Sequence, residues 1–377
     1  MFDENNNFNE EKIAEETVNN ESFTEQEVKE ESFKEEENFT EQENINENRE
    51  YRPVYRVVLP TKEEIEKADV KRLGRAVGTA FLVFYVVMWV LNLIAILIAR
   101  IFEPSFNNAV NLLSDPALMQ VQQIVFSLSV FTLPFIFIFK LFKFRISDLI
   151  SFKPPKGKRN FYLFLVGISF CSFANIASSL AEQIFDRAGI NYEVDFGDNP
   201  EGFFGFMLSF IATAIVPALA EEFACRGIMM GALKKQGEAF AIIVSSVLFG
   251  LMHSNFEQIP FAFLVGLVLA YITVKADTIW IAVAVHCFNN SISLIYTYFL
   301  SGLSGIAQNI SYTIFLIACL VAGLFAITKL GKETDIFCLA KETAVTGLSK
   351  RLKWFFLSVP IIIYASICIL QSLMYFT

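Results

Sequence analysis

The 377-residue chain has little charge, little glycine or proline, and almost no histidine. Charged residues make up 18% of it, and it contains 18 Gly, 11 Pro and only 2 His. The low Gly and Pro content excludes a collagen-like chain. Its 6 cysteines have no paired spacing, which argues against a disulfide framework or a zinc knuckle. The chain is instead 54% hydrophobic with 41 Phe, which is too apolar for a water-soluble globule.

Residues 1–50 differ from the rest in charge. They contain 18 acidic and 4 basic residues, whereas the remainder contains 21 acidic and 26 basic ones. Such a polar stretch buries too little apolar surface to offset the entropy of the chain. We predict a disordered acidic tail over 1–50, which either solubilises the protein or docks a cytosolic partner. It does not read as a signal peptide, because a basic start followed by an apolar stretch is missing.

From residue 76 onward, apolar runs alternate with short loops. About 20 apolar residues in a helix cross the hydrocarbon core of a bilayer. This length predicts an all-α fold, a polytopic membrane helix bundle over 76–377 with about eight or nine transmembrane helices, because two of the nine candidates are short. The nine candidates are 76–101, 119–144, 160–183, 203–231, 239–254, 259–275, 278–299, 309–330 and 354–376.

Basic residues are concentrated before the first apolar segment and in every second loop after it. Because Lys and Arg accumulate on the cytoplasmic side, we predict a cytoplasmic N-terminus. Residues 51–75 are expected to form a juxtamembrane amphipathic segment along the inner surface. The Asn, Lys, Glu and Ile content favours an integral protein of a bacterial plasma membrane, with the lipid bilayer as its surroundings and no nucleic-acid partner.

Most of the apolar segments contain no ionisable residue, but three of them do. A charged group in hydrocarbon costs at least about 2.5–3.5 kcal/mol, so such a residue indicates a functional site. The polar residues form three short motifs: Glu-Glu-Phe-Ala-Cys-Arg over 221–226, Phe-Gly-Leu-Met-His over 249–253 and His-Cys-Phe-Asn-Asn over 286–290. Both histidines of the chain are among them.

Helical spacing predicts how these groups are arranged. Glu222 and Arg226 are four residues apart, so they can pair along one face of a helix. Glu221 is turned by about 100° from Glu222, which leaves its carboxylate available for chemistry. Pro217 is expected to kink the helix before the site. At a rise of about 1.5 Å per residue, the three motifs reach a similar depth near the middle of the bilayer.

Acid, imidazole and amide groups at one depth suit two kinds of hydrolysis. In the first, Glu221, His253 and His286 are three zinc ligands that leave a fourth position open for water. In the second, a Glu is the general base for a water, while His and Asn donate hydrogen bonds to the oxyanion. A Ser or Cys nucleophile has less support, because a Gly-x-Ser-x-Gly elbow is missing from the sequence.

The order Glu-Glu-x-x-x-Arg, Phe-x-x-x-His, His-x-x-x-Asn resembles the CPBP family of intramembrane glutamic endopeptidases, which includes the type II CAAX prenyl endopeptidases. The resemblance covers a protease-like core at about residues 200–300. It implies an endopeptidase that needs no metal and no cofactor and cleaves a membrane-associated or lipidated peptide or protein. Many bacterial members of this family are linked to bacteriocin processing or self-immunity.

The resemblance also assigns roles to individual residues. Glu221 activates the water, and His253 helps to hold it. His286 and Asn290 form the oxyanion hole. The supporting residues are Glu222, Arg226 and Phe249.

Two functions without hydrolysis also fit these residues. A non-enzymatic membrane immunity or scaffold protein would keep the polar core for packing alone, and its function would survive substitution of Glu221. A secondary transporter would use Glu221, Glu222 and the histidines as a proton relay, although inverted repeats are not evident in the sequence. Proton-coupled flux in liposomes would reveal the transporter.

Overall fold

A computed structural model describes residues 59–187, 198–333, 336–340 and 344–375, so the predicted acidic tail over 1–50 lies outside the described residues. The regular elements of this described part are all helical, which confirms the all-α prediction. The helices are α1 (Lys62–Phe102), α2 (Phe106–Leu113), α3 (Pro116–Leu141), α4 (Gly157–Arg187), α5 (Gly202–Gln236), α6 (Glu238–Leu251), α7 (Gln258–Ala276), α8 (Trp280–Ile295), α9 (Gly305–Leu330), α10 (Leu348–Phe356) and α11 (Val359–Leu373).

Each of the nine predicted apolar segments corresponds to a helix, but length and composition support fewer spans than predicted. Six helices, namely α1, α3, α4, α5, α7 and α9, are long and apolar enough to cross a membrane, and the pair α10 and α11, bent by 72°, is a seventh candidate. Helix α6 has only 14 residues, and α8 has 16 and carries the third polar motif. By length and composition alone, six or seven of the described helices are candidate spans, and the predicted eight or nine would also require α6 and α8 to cross. The chain is an integral membrane protein.

Helix α1 begins earlier than the first predicted span. Thr61 and Glu64 form a capping box, in which the Thr61 hydroxyl accepts from the N–H of Glu64 and the Glu64 carboxylate accepts from the N–H of Thr61. From this cap α1 runs for 41 residues without a break. Residues 62–75, predicted as part of a separate juxtamembrane segment, are therefore the first turns of α1.

Helix α5, which carries the first motif, is irregular. Two π-helical stretches, Phe210–Ile215 and Phe223–Met229, flank an α-helical piece, Val216–Glu222. Pro217 lies at the start of this piece, so the predicted disturbance of the helix takes the form of a π-helical stretch immediately before it. Glu221 and Glu222 consequently stand where the helix changes from α to π geometry.

The bundle is packed around two apolar clusters. One joins residues of α1, α3, α5, α6, α10 and α11, with Phe81, Phe135 and Phe240 fully buried. The other joins α4, α8 and α9, with Leu163 and Val285 buried. Helix α7 contributes to both clusters. Because α5 and α6 belong to the first cluster and α8 to the second, the three motifs meet at the boundary between the two.

Polar contacts tie together the loops at one end of the bundle. Glu66, in the first turns of α1, accepts hydrogen bonds from the N–H groups of Val345 and Thr346, both at 2.9 Å. Similar contacts of Arg and Lys side chains join Arg72 to the carbonyl of Phe142, Lys153 to Asp277, Arg159 to Glu333 and Arg351 to the carbonyl of Gln236. The loops that precede α1, α4, α6, α8 and α10 therefore lie at the same end.

Candidate active site

The centre of the site is an ion pair within α5. Nη1 of Arg226 donates to Oε1 of Glu222 at 2.9 Å, and neither side chain is exposed. Nη2 of Arg226 also donates to the carbonyl of Gly266 in α7 at 3.3 Å. The predicted pairing of residues four apart is present, and the guanidinium additionally joins α5 to α7.

His286 of α8 contacts both carboxylates of α5. Its Nδ1 atom lies 2.9 Å from Oε1 of Glu222, and its Nε2 atom lies 4.0 Å from Oε2 of Glu221. An ionised carboxylate has no proton to donate and therefore only accepts, so Nδ1 is the donor to an ionised Glu222. This bond fixes the ring with Nε2 directed at Glu221.

Glu221 differs from Glu222 in how its carboxylate is used. Its side chain is nearly buried, with 13% of its surface exposed. Its Oε2 atom accepts no hydrogen bond from any described residue, although His286 lies opposite it. Oε1 of Glu222 is held by Arg226 and His286 together, whereas Glu221 faces His286 at 4.0 Å; Oε2 of Glu222, like that of Glu221, has no hydrogen-bond partner among the described residues.

Phe249 of α6 is the shared neighbour of the charged residues and both histidines. Its ring centroid lies 5.4 Å from that of His253 and 5.8 Å from that of His286, both in edge-to-face geometry. The guanidinium of Arg226 lies 4.0 Å from the same centroid, a cation–π contact. Phe249 therefore brings the second motif against the first and third.

His253 lies in the turn after Leu251, the last residue of α6. Its Nδ1 atom lies 2.9 Å from the carbonyl oxygen of Phe249, and because a carbonyl only accepts, Nδ1 is again the donor. Both histidines are thus held through Nδ1 and present Nε2. The structure brings His253 to the site through Phe249, whereas a hydrogen bond from His253 to Glu221 is not among the contacts of the described residues.

Asn290 is held by a backbone group of α5. Its Nδ2 atom donates to the carbonyl of Thr213 at 3.0 Å, and its Oδ1 atom accepts from Asn289 at 3.4 Å. In an α-helix the carbonyl of Thr213 would accept from residue 217, which is Pro and has no N–H. Asn290 therefore donates to a carbonyl whose α-helical donor position is occupied by Pro217. Within the described part of the chain, Asn290 makes no hydrogen bond to His286 or Glu221.

The sequence reasoning missed the backbone partners of the site, above all Gly266. A Cβ atom at Gly266 would lie 3.1 Å from Cα of Ser246, so the absence of a side chain lets α6 and α7 approach closely. The same closeness brings the carbonyl of Gly266 within reach of Arg226. A Gly inside an apolar run is a usable signal, because small residues mark close helix packing in membranes.

The zinc alternative required Glu221, His253 and His286 to converge as ligands. Across the ranges that the structure describes, no three His, Cys, Asp or Glu side chains are grouped so that they could hold a metal ion. A cation already stands beside the carboxylates, namely the guanidinium of Arg226, which is paired with Glu222. Glu221, His253 and His286 are therefore not grouped as metal ligands in the part of the chain that the structure describes.

Comparison with known proteins shows what the segment carrying this arrangement is similar to. Residues 203–292 match the family model described as "Type II CAAX prenyl endopeptidase Rce1-like". The resemblance to the CPBP family is confirmed. The matched segment, residues 203–292, runs from α5 through most of α8 and contains all three polar motifs.

A curated relative matches a segment of similar length. "Putative membrane peptidase YdiL" of Bacillus subtilis (strain 168) is 30% identical over 89 residues, which is 23% of this chain and 36% of that protein. The chain therefore aligns with about a third of the length of this curated relative. No solved structure matches the chain.

Proposed function

We propose that the chain is an intramembrane endopeptidase that hydrolyses a peptide bond of a membrane-associated or lipidated peptide or protein. The observation that carries the proposal is the buried Glu221 carboxylate, whose Oε2 atom faces Nε2 of His286 at 4.0 Å and accepts no hydrogen bond from a described residue. A water bound between these two atoms would be within hydrogen-bonding reach of both. The family match and the membrane peptidase of Bacillus subtilis support the same reaction class.

The charges of the cluster favour one carboxylate as the base. With both Glu221 and Glu222 ionised, the guanidinium of Arg226 and a protonated His286 would balance them, so that the cluster would carry no net charge. Charges within a membrane are tolerated when they pair in this way. Because Glu222 is paired with both cations, Glu221 is the carboxylate that accepts a proton from water.

The reaction then proceeds with Glu221 as general base and general acid. Glu221 takes a proton from the bound water, and the resulting hydroxide forms a C–O bond to the scissile carbonyl carbon. The carbonyl oxygen becomes an oxyanion, which Nε2–H of His286 and the second N–H of the Asn290 amide stabilise. Protonated Glu221 gives its proton to the amide nitrogen as the C–N bond breaks, which yields a carboxyl and an amine. Nε2 of His253 helps to hold the water.

We further propose that catalysis needs no metal ion, and that the protein lies in a bacterial plasma membrane with its N-terminus in the cytoplasm. Arg226, held 2.9 Å from Glu222, supplies the positive charge that a metal would otherwise bring to the carboxylates. The loops that share one end of the bundle are the ones rich in Lys and Arg, which supports the orientation.

The decisive experiment compares membrane peptides from cells that produce the wild-type chain or Glu221→Gln. New peptide termini found by mass spectrometry only with the wild-type chain identify substrates, and cleavage is then repeated with purified protein. Because the glutamine cannot act as a base, we expect turnover to fall by roughly 10²- to 10⁴-fold, with detergent stability unchanged. His253→Ala is expected to reduce turnover as well.

Glu201→Gln is the matched control, because Glu201 is an exposed carboxylate at the start of the same helix α5. It should leave cleavage at the wild-type rate. Full turnover by Glu221→Gln would overturn the role of Glu221 as the base, whereas the same membrane peptides from wild-type and Glu221→Gln cells, with no cleavage by purified wild-type protein, would favour an immunity or scaffold protein. Loss of wild-type turnover on treatment with a zinc chelator, with recovery on added zinc, would overturn metal independence alone.

A further inference from the structure

The turn that carries His253 is held in an unusual backbone conformation. Ser254, the next residue, has φ of 52°, in the left-handed region that residues other than Gly rarely adopt. Its N–H donates to the carbonyl of Leu251 at 3.0 Å, and that of His253 donates to the carbonyl of Gly250 at 3.2 Å. Because His253 lies beyond the regular helix, the direction of its ring depends on this turn as well as on α6.

The hydroxyl of Ser254 is bonded to a residue far away in the chain. The Tyr85 hydroxyl, from α1, lies 2.7 Å from Oγ of Ser254. Tyr85 has only 4% of its surface exposed, so this hydrogen bond is shielded from lipid. Helix α1 lies outside the family match over 203–292, yet it contacts the residue that follows His253.

Helix α11 completes this contact from the other side of Tyr85. Sγ of Cys368 lies 3.4 Å from the Tyr85 hydroxyl, and Oγ of Ser254 lies 3.5 Å from the carbonyl of Leu251. These distances are compatible with an order in which Cys368 donates to Tyr85, Tyr85 to Ser254, and Ser254 to the carbonyl of Leu251. Tyr364, one turn before Cys368, packs beside the Tyr85 ring at 6.0 Å between centroids.

We infer that Tyr85 is a positioning residue for His253. Its hydroxyl holds Ser254 in the left-handed conformation and thereby keeps Nε2 of His253 directed towards the site. This inference rests on the proposed function only for the role of His253 in hydrolysis. The structural part, that one hydroxyl of α1 sets the turn after α6, can be tested without any turnover.

The test uses the fact that the chain contains only two histidines. Protein labelled with ¹³C and ¹⁵N in histidine alone, in detergent micelles, gives two imidazole signals, which His253→Gln and His286→Gln assign. Tyr85→Phe retains the buried ring and removes the hydroxyl. We expect it to shift or broaden the His253 signal and leave that of His286 in place, and to speed amide exchange over residues 252–256 about tenfold.

Tyr364→Phe is the matched control. Tyr364 is also a buried tyrosine in the same aromatic cluster, but its hydroxyl makes no hydrogen bond to Ser254. Neither imidazole signal should move in this variant. Ser254→Ala, which removes the partner hydroxyl, should reproduce the effect of Tyr85→Phe and provides the test if Tyr85→Phe does not fold.

An unchanged His253 signal in both Tyr85→Phe and Ser254→Ala would overturn the inference. So would an equal shift in Tyr364→Phe, since that would make the effect one of general packing. The outcome is independent of the proposed function: a catalytically silent protein can still show the His253 shift, and an active one can lack it.

Discussion

Helices α5 and α9 are both long, apolar candidates for crossing the membrane, yet they are built differently. Of the most apolar stretch of each helix, 44% is buried by the rest of the protein in α5 and 22% in α9. Helix α9 is a regular α-helix capped by Ser304, whereas α5 has no side-chain cap at Glu201 and contains two π-helical stretches. Apolar composition alone does not distinguish a lipid-facing helix from one that carries buried charges.

The difference lies in what each helix places on its buried face. Helix α9 packs against α4 through small residues such as Gly323, where a Cβ atom would meet the side chain of Ser169 at 2.2 Å. Helix α5 buries Glu222 and Arg226 among neighbours on α7 and α8. Irregular backbone and paired charge therefore occur together where the chemistry is proposed, and the lipid-facing helix has neither.

The largest expected effect on stability comes from breaking the charge pair in α5. Arg226→Met leaves Glu222 buried with one partner fewer, so we expect the free energy of unfolding to fall by about 3–5 kcal/mol. Denaturant unfolding in detergent measures this change. Lys329→Met near the end of α9 is the control, and an exposed cation of this kind should cost less than about 1 kcal/mol. Equal losses in the two variants would contradict the comparison.

A smaller effect is expected where α5 touches a loop. A Cβ atom at Gly231 would lie 2.2 Å from the carbonyl oxygen of Leu149, so Gly231→Ala forces one backbone to move and should cost roughly 1–3 kcal/mol. At Gly305, the first residue of α9, a Cβ atom would meet nothing within 4 Å. Gly305→Ala should leave the thermal midpoint unchanged, and a drop as large as that of Gly231→Ala would disprove the packing argument.

The smallest effect concerns the cap of α9. The hydroxyl of Ser304 accepts from the N–H of Ala307 at 3.4 Å, so Ser304→Ala should lower the free energy of unfolding by about 0.5–1 kcal/mol. Glu201→Ala, at the uncapped start of α5, should change it by less than about 0.5 kcal/mol. The comparison of caps fails if Glu201→Ala is the more harmful of the two.

Features that depend on local spacing could be predicted from the sequence. The apolar runs identified the helices, and the separation of four residues between Glu222 and Arg226 identified their pair, because both follow from the period of a helix. The roles of the site residues stay predictions. Spacing within one helix cannot tell which of two adjacent carboxylates a residue on another helix will contact, and His286 bonds to Glu222 while facing Glu221.

Features that depend on contacts between distant segments could not be predicted. The bond between Tyr85 and Ser254 joins residues 169 positions apart, and neither residue has a local pattern that points to the other. The π-helical form of α5 could not be predicted either. Pro217 indicates that the helix is disturbed, but the contact between Asn290 of α8 and the carbonyl of Thr213 joins distant segments. Length also misled, since α6 ends at Leu251 and leaves His253 in a turn.

The joined loops fix a parity for the path of the chain. Lys153 pairs with Asp277, and Arg351 reaches the carbonyl of Gln236, so these points lie on one face of the bilayer. Between any two such points the backbone must cross the bilayer an even number of times. Helix α7 is long enough to cross the bilayer, so the short helix α6 must make the crossing before it, in the opposite direction. Helix α8 must do the same before α9. Helices α6 and α8, which their length alone would exclude as membrane spans, therefore lie within the membrane. His286 lies in α8, and His253 lies in the turn directly after α6.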